Sequence, residues 1–190
     1  MKRPRRSAVS VQLLTQYGLD LGVSLDTCLQ GTGLDWRLLA DPGAEVEAEQ
    51  ELRLVRNLIE ACGYRAGLGL PLGRRYRLNS YGIWGFALLA SPTFREAANL
   101  GLRYLDLTYA FHDMQLEETG EEVHLLLEAQ NLPEDLRSFL LERDLAGMLQ
   151  VLRELFHQDL PILRVELSLA EPDDPRPFVE EIGLLMGGKK

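Results

Sequence analysis

Residues 82–97, Gly-Ile-Trp-Gly-Phe-Ala-Leu-Leu-Ala-Ser-Pro-Thr-Phe-Arg-Glu-Ala, commit this chain to two helices joined at a sharp corner. Gly82 and Gly85 carry no side chain, so a second stretch of backbone can approach the first helix closely. Ser91 is placed to accept from the free N–H groups of the next helix, and Pro92 suits its first position. Thr93 and Glu96 have the spacing of a capping box. No catalytic group sits here, so the corner reads as scaffold, with its helices expected over about 79–90 and 92–110.

The flanking segments follow from apolar periodicity. Ser7 to Tyr17 reads as a helix with Val9, Leu13, Leu14 and Tyr17 on one face and Gly18 as its stop. Ser24 to Gln30 is a short helix capped by Ser24 and closed by Gly31, and a third runs from about Glu45 to Cys62 with Leu52, Val55, Leu58, Ile59 and Cys62 inward. Met114, Leu116, Val123, Leu125 and Leu127 alternate with polar residues, the period of a half-buried strand, which gives a hairpin over about 112–129 turning at Thr119-Gly120. A long amphipathic helix spans about Glu134 to His157, with Leu141, Leu145, Met148, Leu152 and Leu155 as its buried stripe. Ile162 to Leu169 reads as a third strand, and Asp174 as the cap of a short helix over 175–182. Helices come first, then strand, strand, helix, strand. The fold class expected is α+β: an N-terminal helical half followed by an antiparallel sheet with a long packing helix.

Length fits one domain, taken as 7–183 between a basic tail at 1–6 and a C-terminal tail at 184–190. No apolar run approaches the ~20 residues of a membrane span, and Cys28 and Cys62 have neither metal nor redox spacing, so the expectation is a reduced, cytoplasmic protein away from membranes. Net charge is −9 although Lys2, Arg3, Arg5 and Arg6 crowd the first six positions. Such a body repels a phosphate backbone, and the basic tail reads as a solvated terminus.

Catalytic chemistry finds no foothold. With the turn at Thr119-Gly120, His112 pairs opposite Leu127 on the apolar face and His124 opposite Gln115 on the polar face, so the two rings cannot share an ion. His157 stands at a helix end. Gly67, Gly69 and Gly73 do not have phosphate-loop spacing and read as a structural turn, and no serine or cysteine has a nucleophile's context. Glu117, Glu118, Glu121 and Glu122 at the hairpin tip, and Asp173-Asp174, read as solvated charge. The expectation is therefore no enzyme, no metal and no cofactor. Tyr81 and Trp84, three apart on one helical face, together with Tyr104 and His112, are the candidate ligand-binding residues. The competing reading makes the same four side chains ordinary core.

The corner pattern, Gly82-x-x-Gly85-x-Ala87-x-x-x-Ser91-Pro92-Thr93-x-x-Glu96-Ala97 followed by Arg103-Tyr104, resembles the N-terminal sensor domain of one branch of AraC-type transcription regulators, often labelled arabinose-binding. Leu68 to Gly73 is similar to a segment before the family's corner, Met114 to Leu127 to its first hairpin, and 161–167 and 172–183 to a later strand and short helix. The resemblance runs from about Gly18 to Gly183. It implies a domain that senses a small-molecule effector, with homodimerisation open; the candidate lining residues suit a largely apolar one. It also implies contact with DNA only through a helix-turn-helix domain, which family members carry after further strands and which 184–190 do not supply. Two other classes stay open: a protein-interaction or dimerisation module whose pocket its own side chains fill, and a small-molecule enzyme.

Overall fold

The computed structural model describes residues 5–41, 43–129, 132–156, 163–167 and 175–185. The chain packs as two units divided between Arg65 and Ala66. Helices dominate both, and each holds a small antiparallel strand pair, the α+β class expected from the sequence.

In the first unit β1 (Arg6–Ser7) pairs with β2 (Glu45–Val46), and the helices are α1 (Val9–Asp20), α2 (Leu25–Leu29), α3 (Trp36–Ala40) and α4 (Ala48–Cys62). Gly18 does not stop α1; it lies inside it, where a Cβ would come within 2.6 Å of Cys28 Sγ. The helix ends instead before Gly22, whose φ of 84° favours glycine. Its buried face is Ser10, Val11, Leu14, Tyr17 and Gly18 rather than Val9 and Leu13, because close contact at Gly18 turns the helix toward α2. Ser24 caps α2 as expected, accepting the Thr27 N–H. α4 starts later than expected, since a Glu47–Gln50 capping box opens it and Glu45 and Val46 are held in β2. Its buried apolar side chains include Leu54, Val55 and Leu58, while Leu52, Ile59 and Cys62 are half-buried. Arg6 is not solvated tail: it is buried 3.7 Å from Glu51, whose carboxylate also accepts from Ser10 Oγ at 2.6 Å.

The second unit carries α5 (Leu70–Gly73), α6 (Gly82–Leu89), α7 (Phe94–Arg103), β3 (Asp113–Thr119), β4 (Glu122–Glu128), α8 (Glu134–Phe156) and α9 (Arg176–Leu185). A 3-10 turn, Leu78–Tyr81, leads into α6. The glycines before and within α5 make the approach to α8 possible. A Cβ on Gly69 would lie 2.3 Å from the Phe139 carbonyl oxygen, and one on Gly73 would lie 2.4 Å from that of Arg143. This loop does hold an anion, but the chain's own: Glu142 accepts the Gly67 N–H at 2.8 Å and the Gly69 N–H at 2.7 Å.

At the corner, Gly85 supplies the close approach, with the Leu78 carbonyl oxygen 2.1 Å from where its Cβ would be; Gly82 faces open space. Thr93, not Ser91, caps α7 through the Glu96 N–H at 3.2 Å. Ser91 instead donates back to the Ala87 carbonyl, which leaves Pro92 outside the helix. α7 stops at Arg103, short of the expected 110, and a 3-10 turn over Leu105–Leu107 follows.

The hairpin turns at Gly120-Glu121, where Gly120 takes a φ of 63°, so Leu116 pairs with Leu125, Met114 with Leu127 and His124 with Glu117. The register thus differs by two residues from the sequence expectation. A shift of two keeps every side chain on its face, and the apolar side of the sheet is unchanged. Residues 163–167 form no strand; Ile162, Ser168, Leu169, His157, Asp173 and Asp174 lie outside the described residues.

Candidate functional site

One cleft of about 1680 Å³ opens within the second unit. Trp84, Leu88, Ala97 and Gly101 of the corner helices form one wall. Met114, Leu116, Leu125 and Leu127 of the hairpin's apolar face form another. The third is the stripe Leu141, Leu145, Met148, Leu152 and Leu155 of α8. The sequence expected this stripe to be the buried one; of its five residues only Leu145 is buried, and Leu141, Met148, Leu152 and Leu155 are half-buried, because α8 has a second apolar face. The other face buries Leu136, Phe139, Leu140 and Ala146.

Between the two faces sits a run of charge that the sequence reading passed over. Glu142, Arg143 and Asp144 are all buried. Three consecutive helical residues fan over about 200°, so they cannot share one solvated face in a helix flanked by Leu140, Leu141, Leu145 and Ala146. That was the available signal. Asp144 Oδ1 accepts from Arg143 Nε at 2.9 Å and Nη2 at 2.6 Å, and Oδ2 accepts the Phe111 and His112 N–H groups at 2.8 and 3.1 Å. Burial alone would raise the Asp144 carboxyl; the Arg143 guanidinium, then the His112 hydrogen bond, outweigh it and hold the group well below the usual carboxylate range. Arg143 also donates to the Tyr109 carbonyl at 2.8 Å, with its guanidinium 5.6 Å from the centre of the Tyr76 ring and 5.2 Å from that of Phe111.

The four candidate residues separate on this geometry. His112 lines the cleft, buried, with Nδ1 2.8 Å from Asp144 Oδ2. Tyr81 and Trp84 line it too, their rings 5.1 Å apart. Burial, then Tyr76 and Asp144, push the Tyr81 phenol up, so it keeps its proton and remains a donor. The Trp84 indole N–H is already engaged with the Gly101 carbonyl at 3.2 Å, pinning α6 to α7 rather than facing a ligand. Tyr104 lies outside the lining, 48% exposed with the Arg103 guanidinium 5.7 Å from its ring centre, because α7 ends one residue earlier and the chain turns away.

Among the described residues no three His, Cys, Asp or Glu side chains are grouped to hold a metal ion, and no helix is long and apolar enough to cross a membrane. The cleft is thus built on helices and one hairpin, with mainly apolar walls and a buried polar cluster among its lining residues. Residues 22–183 match the family described as the arabinose-binding domain of AraC transcription regulators, N-terminal, and the chain belongs to that family. It is similar to two proteins called uncharacterized HTH-type transcriptional regulators, from Mycobacterium bovis and Mycobacterium tuberculosis. Each is 34% identical over 145 residues, which is 76% of this chain and 42% of the relative. The chain thus spans less than half the length of these relatives. No solved structure matches it. The family identifies a regulatory domain of a transcription regulator.

Proposed function

We propose that this domain senses a small-molecule effector in the cleft between the corner helices, the hairpin and α8, and passes its occupancy to a DNA-binding domain of the same regulator in the cytoplasm. The observation that carries this reading is the cleft itself: its apolar walls come from three separate elements, with His112, Arg143 and Asp144 as a buried polar cluster in the lining. Tyr81 and His112 are the proposed ligand contacts, and Trp84 holds a wall in place. An effector that binds one arrangement of these elements more tightly shifts the population that reaches DNA.

A thermal-shift screen of metabolites and lipids on the chain tests this. A ligand at a hundredfold excess over its Kd adds about 2.7 kcal/mol of stability. Met148→Trp, which narrows the cleft, is expected to cancel that gain. If no compound in a broad set stabilises the chain, or if Met148→Trp leaves the gain intact, the cleft is not the effector site.

A dimerisation module is the second reading, carried by the outer face of α6. Ile83 is 80% and Phe86 67% exposed there, an apolar surface that a partner would cover. This reading predicts a wild-type dimer that Phe86→Asp dissociates in sedimentation velocity, together with no stabilising ligand in the thermal-shift screen.

A further inference from the structure

In the cleft lining, the hydrogen bonding of the chain stops short at one atom. His112 gives Nδ1 to Asp144, while its other ring nitrogen, Nε2, is buried with no hydrogen-bond partner among the described residues. Asp144 is held ionised by Arg143 and can only accept, so the proton between them belongs to Nδ1. In the neutral ring this leaves Nε2 as a bare acceptor, a group that is costly to bury unmatched. The backbone N–H of His112 is tied to the same carboxylate at 3.1 Å, so the ring cannot easily swing out to water.

The ligand chemistry that completes this arrangement is a single O–H donor on an otherwise apolar body. From Asp144 to Leu155 the α8 stripe runs about 16 Å at 1.5 Å per residue. Leu145, Met148, Leu152 and Leu155 line the cleft along it. A free sugar would bury a ring of hydroxyls against these side chains. An alkyl chain would not. We infer that His112 Nε2 anchors the O–H head of an alkyl amphiphile, a carboxylic acid or an alcohol, whose tail lies along the Leu145–Leu155 stripe. The inference rests on the reading of the cleft as the effector site and adds the chemical class of its occupant. An alcohol donates its O–H to Nε2; an acid, a carboxylate in neutral solution, binds with one proton taken up from solvent and held between its oxygen and Nε2.

Isothermal titration of the 190-residue chain with dodecanoic acid, dodecanol and methyl dodecanoate, all below their aggregation limits, tests it. The ester has the tail and lacks the donor. The acid and the alcohol are expected to bind at least about tenfold more tightly than the ester, the scale of one buried acceptor satisfied or left bare. His112→Phe is expected to erase that preference while the ester binds as before. Histidine-selective 15N NMR on the wild type gives a readout that does not depend on the variant folding: the acid and the alcohol should both move the His112 Nε2 resonance. A tighter acid, bound with uptake of one proton, indicates a carboxylic effector, and a tighter alcohol indicates a hydroxyl head. Equal binding of all three ligands, or a His112 signal that stays still, overturns the anchor and leaves the cleft as an effector site. No binding by any of the three overturns the amphiphile class, while the broader screen decides the sensing reading separately.

Discussion

Asp144→Asn tests the polar cluster from which the cleft is built. The carboxylate accepts from the Phe111 and His112 N–H groups, from His112 Nδ1, and twice from Arg143, all within 3.1 Å. An amide can keep one oxygen toward these donors, but its NH₂ must face the others, and Arg143 loses its counter-charge in a buried site. Removing one partner of a buried ion pair costs about 3–5 kcal/mol. Arg143 still donates to the Tyr109 carbonyl and lies against the Tyr76 and Phe111 rings, which places the expectation near the lower end. The assay is urea unfolding in a Trp36→Phe background, leaving Trp84 as the fluorescence probe of the second unit. The sign with pH also follows. The folded Asp144 carboxyl lies below its unfolded value, so its contribution is complete above an unfolded pKa of about 3.9 and declines as pH falls through the folded one. The gap between wild type and variant should be constant from neutral pH down to about 4 and should narrow in more acid solution. A loss under about 1 kcal/mol at pH 7, the scale of an exposed pair, would refute the buried cluster.

Other perturbations have equally definite expectations. Gly85→Ala should destabilise by about 3 kcal/mol, the upper range for overpacking, because its Cβ meets the rigid Leu78 carbonyl; an unchanged urea midpoint would show that α6 can move away. Glu142→Gln should cost about 1–3 kcal/mol, since its NH₂ would face one of the Gly67 and Gly69 N–H groups, and faster amide exchange at those two glycines would mark the site. Gly82→Ala, at a φ of 53° with open space around it, should strain the backbone without a clash, so its cost by urea unfolding should fall below that of Gly85→Ala.

Much of the fold was legible because local rules decide it. The Ser24 cap and the alternation across the hairpin are set by neighbouring residues alone, whereas the Leu141–Leu155 periodicity marked an apolar face of α8 that is only half-buried. Errors arose where tertiary contact overrode local preference and where two local signals competed. Gly18 looks like a helix stop, yet it serves close packing against Cys28. Ser91-Pro92 looks like a cap and first turn, but Thr93 takes the cap. The turn moved by one position because Gly120 supplies a positive φ that Thr119 would resist. For the candidate site, three of the four side chains named from sequence line the cleft, whereas Tyr104 falls outside it because α7 ends early. Arg143 and Asp144 escaped notice because a charge run is ordinarily read as solvated surface. Only their helical fan, which no single solvated face can hold, marks them as interior.

Methionine methyl NMR offers the most direct test of the cleft as the effector site. Of the four methionines, Met114 on the hairpin and Met148 on α8 line different walls of the cleft. With methyl-labelled methionine, a compound that raises the melting temperature of the chain is expected to shift both resonances, with saturation at the same ligand concentration as the thermal gain. A stabilising ligand that leaves Met114 and Met148 both unmoved would contradict the cleft as the site of sensing.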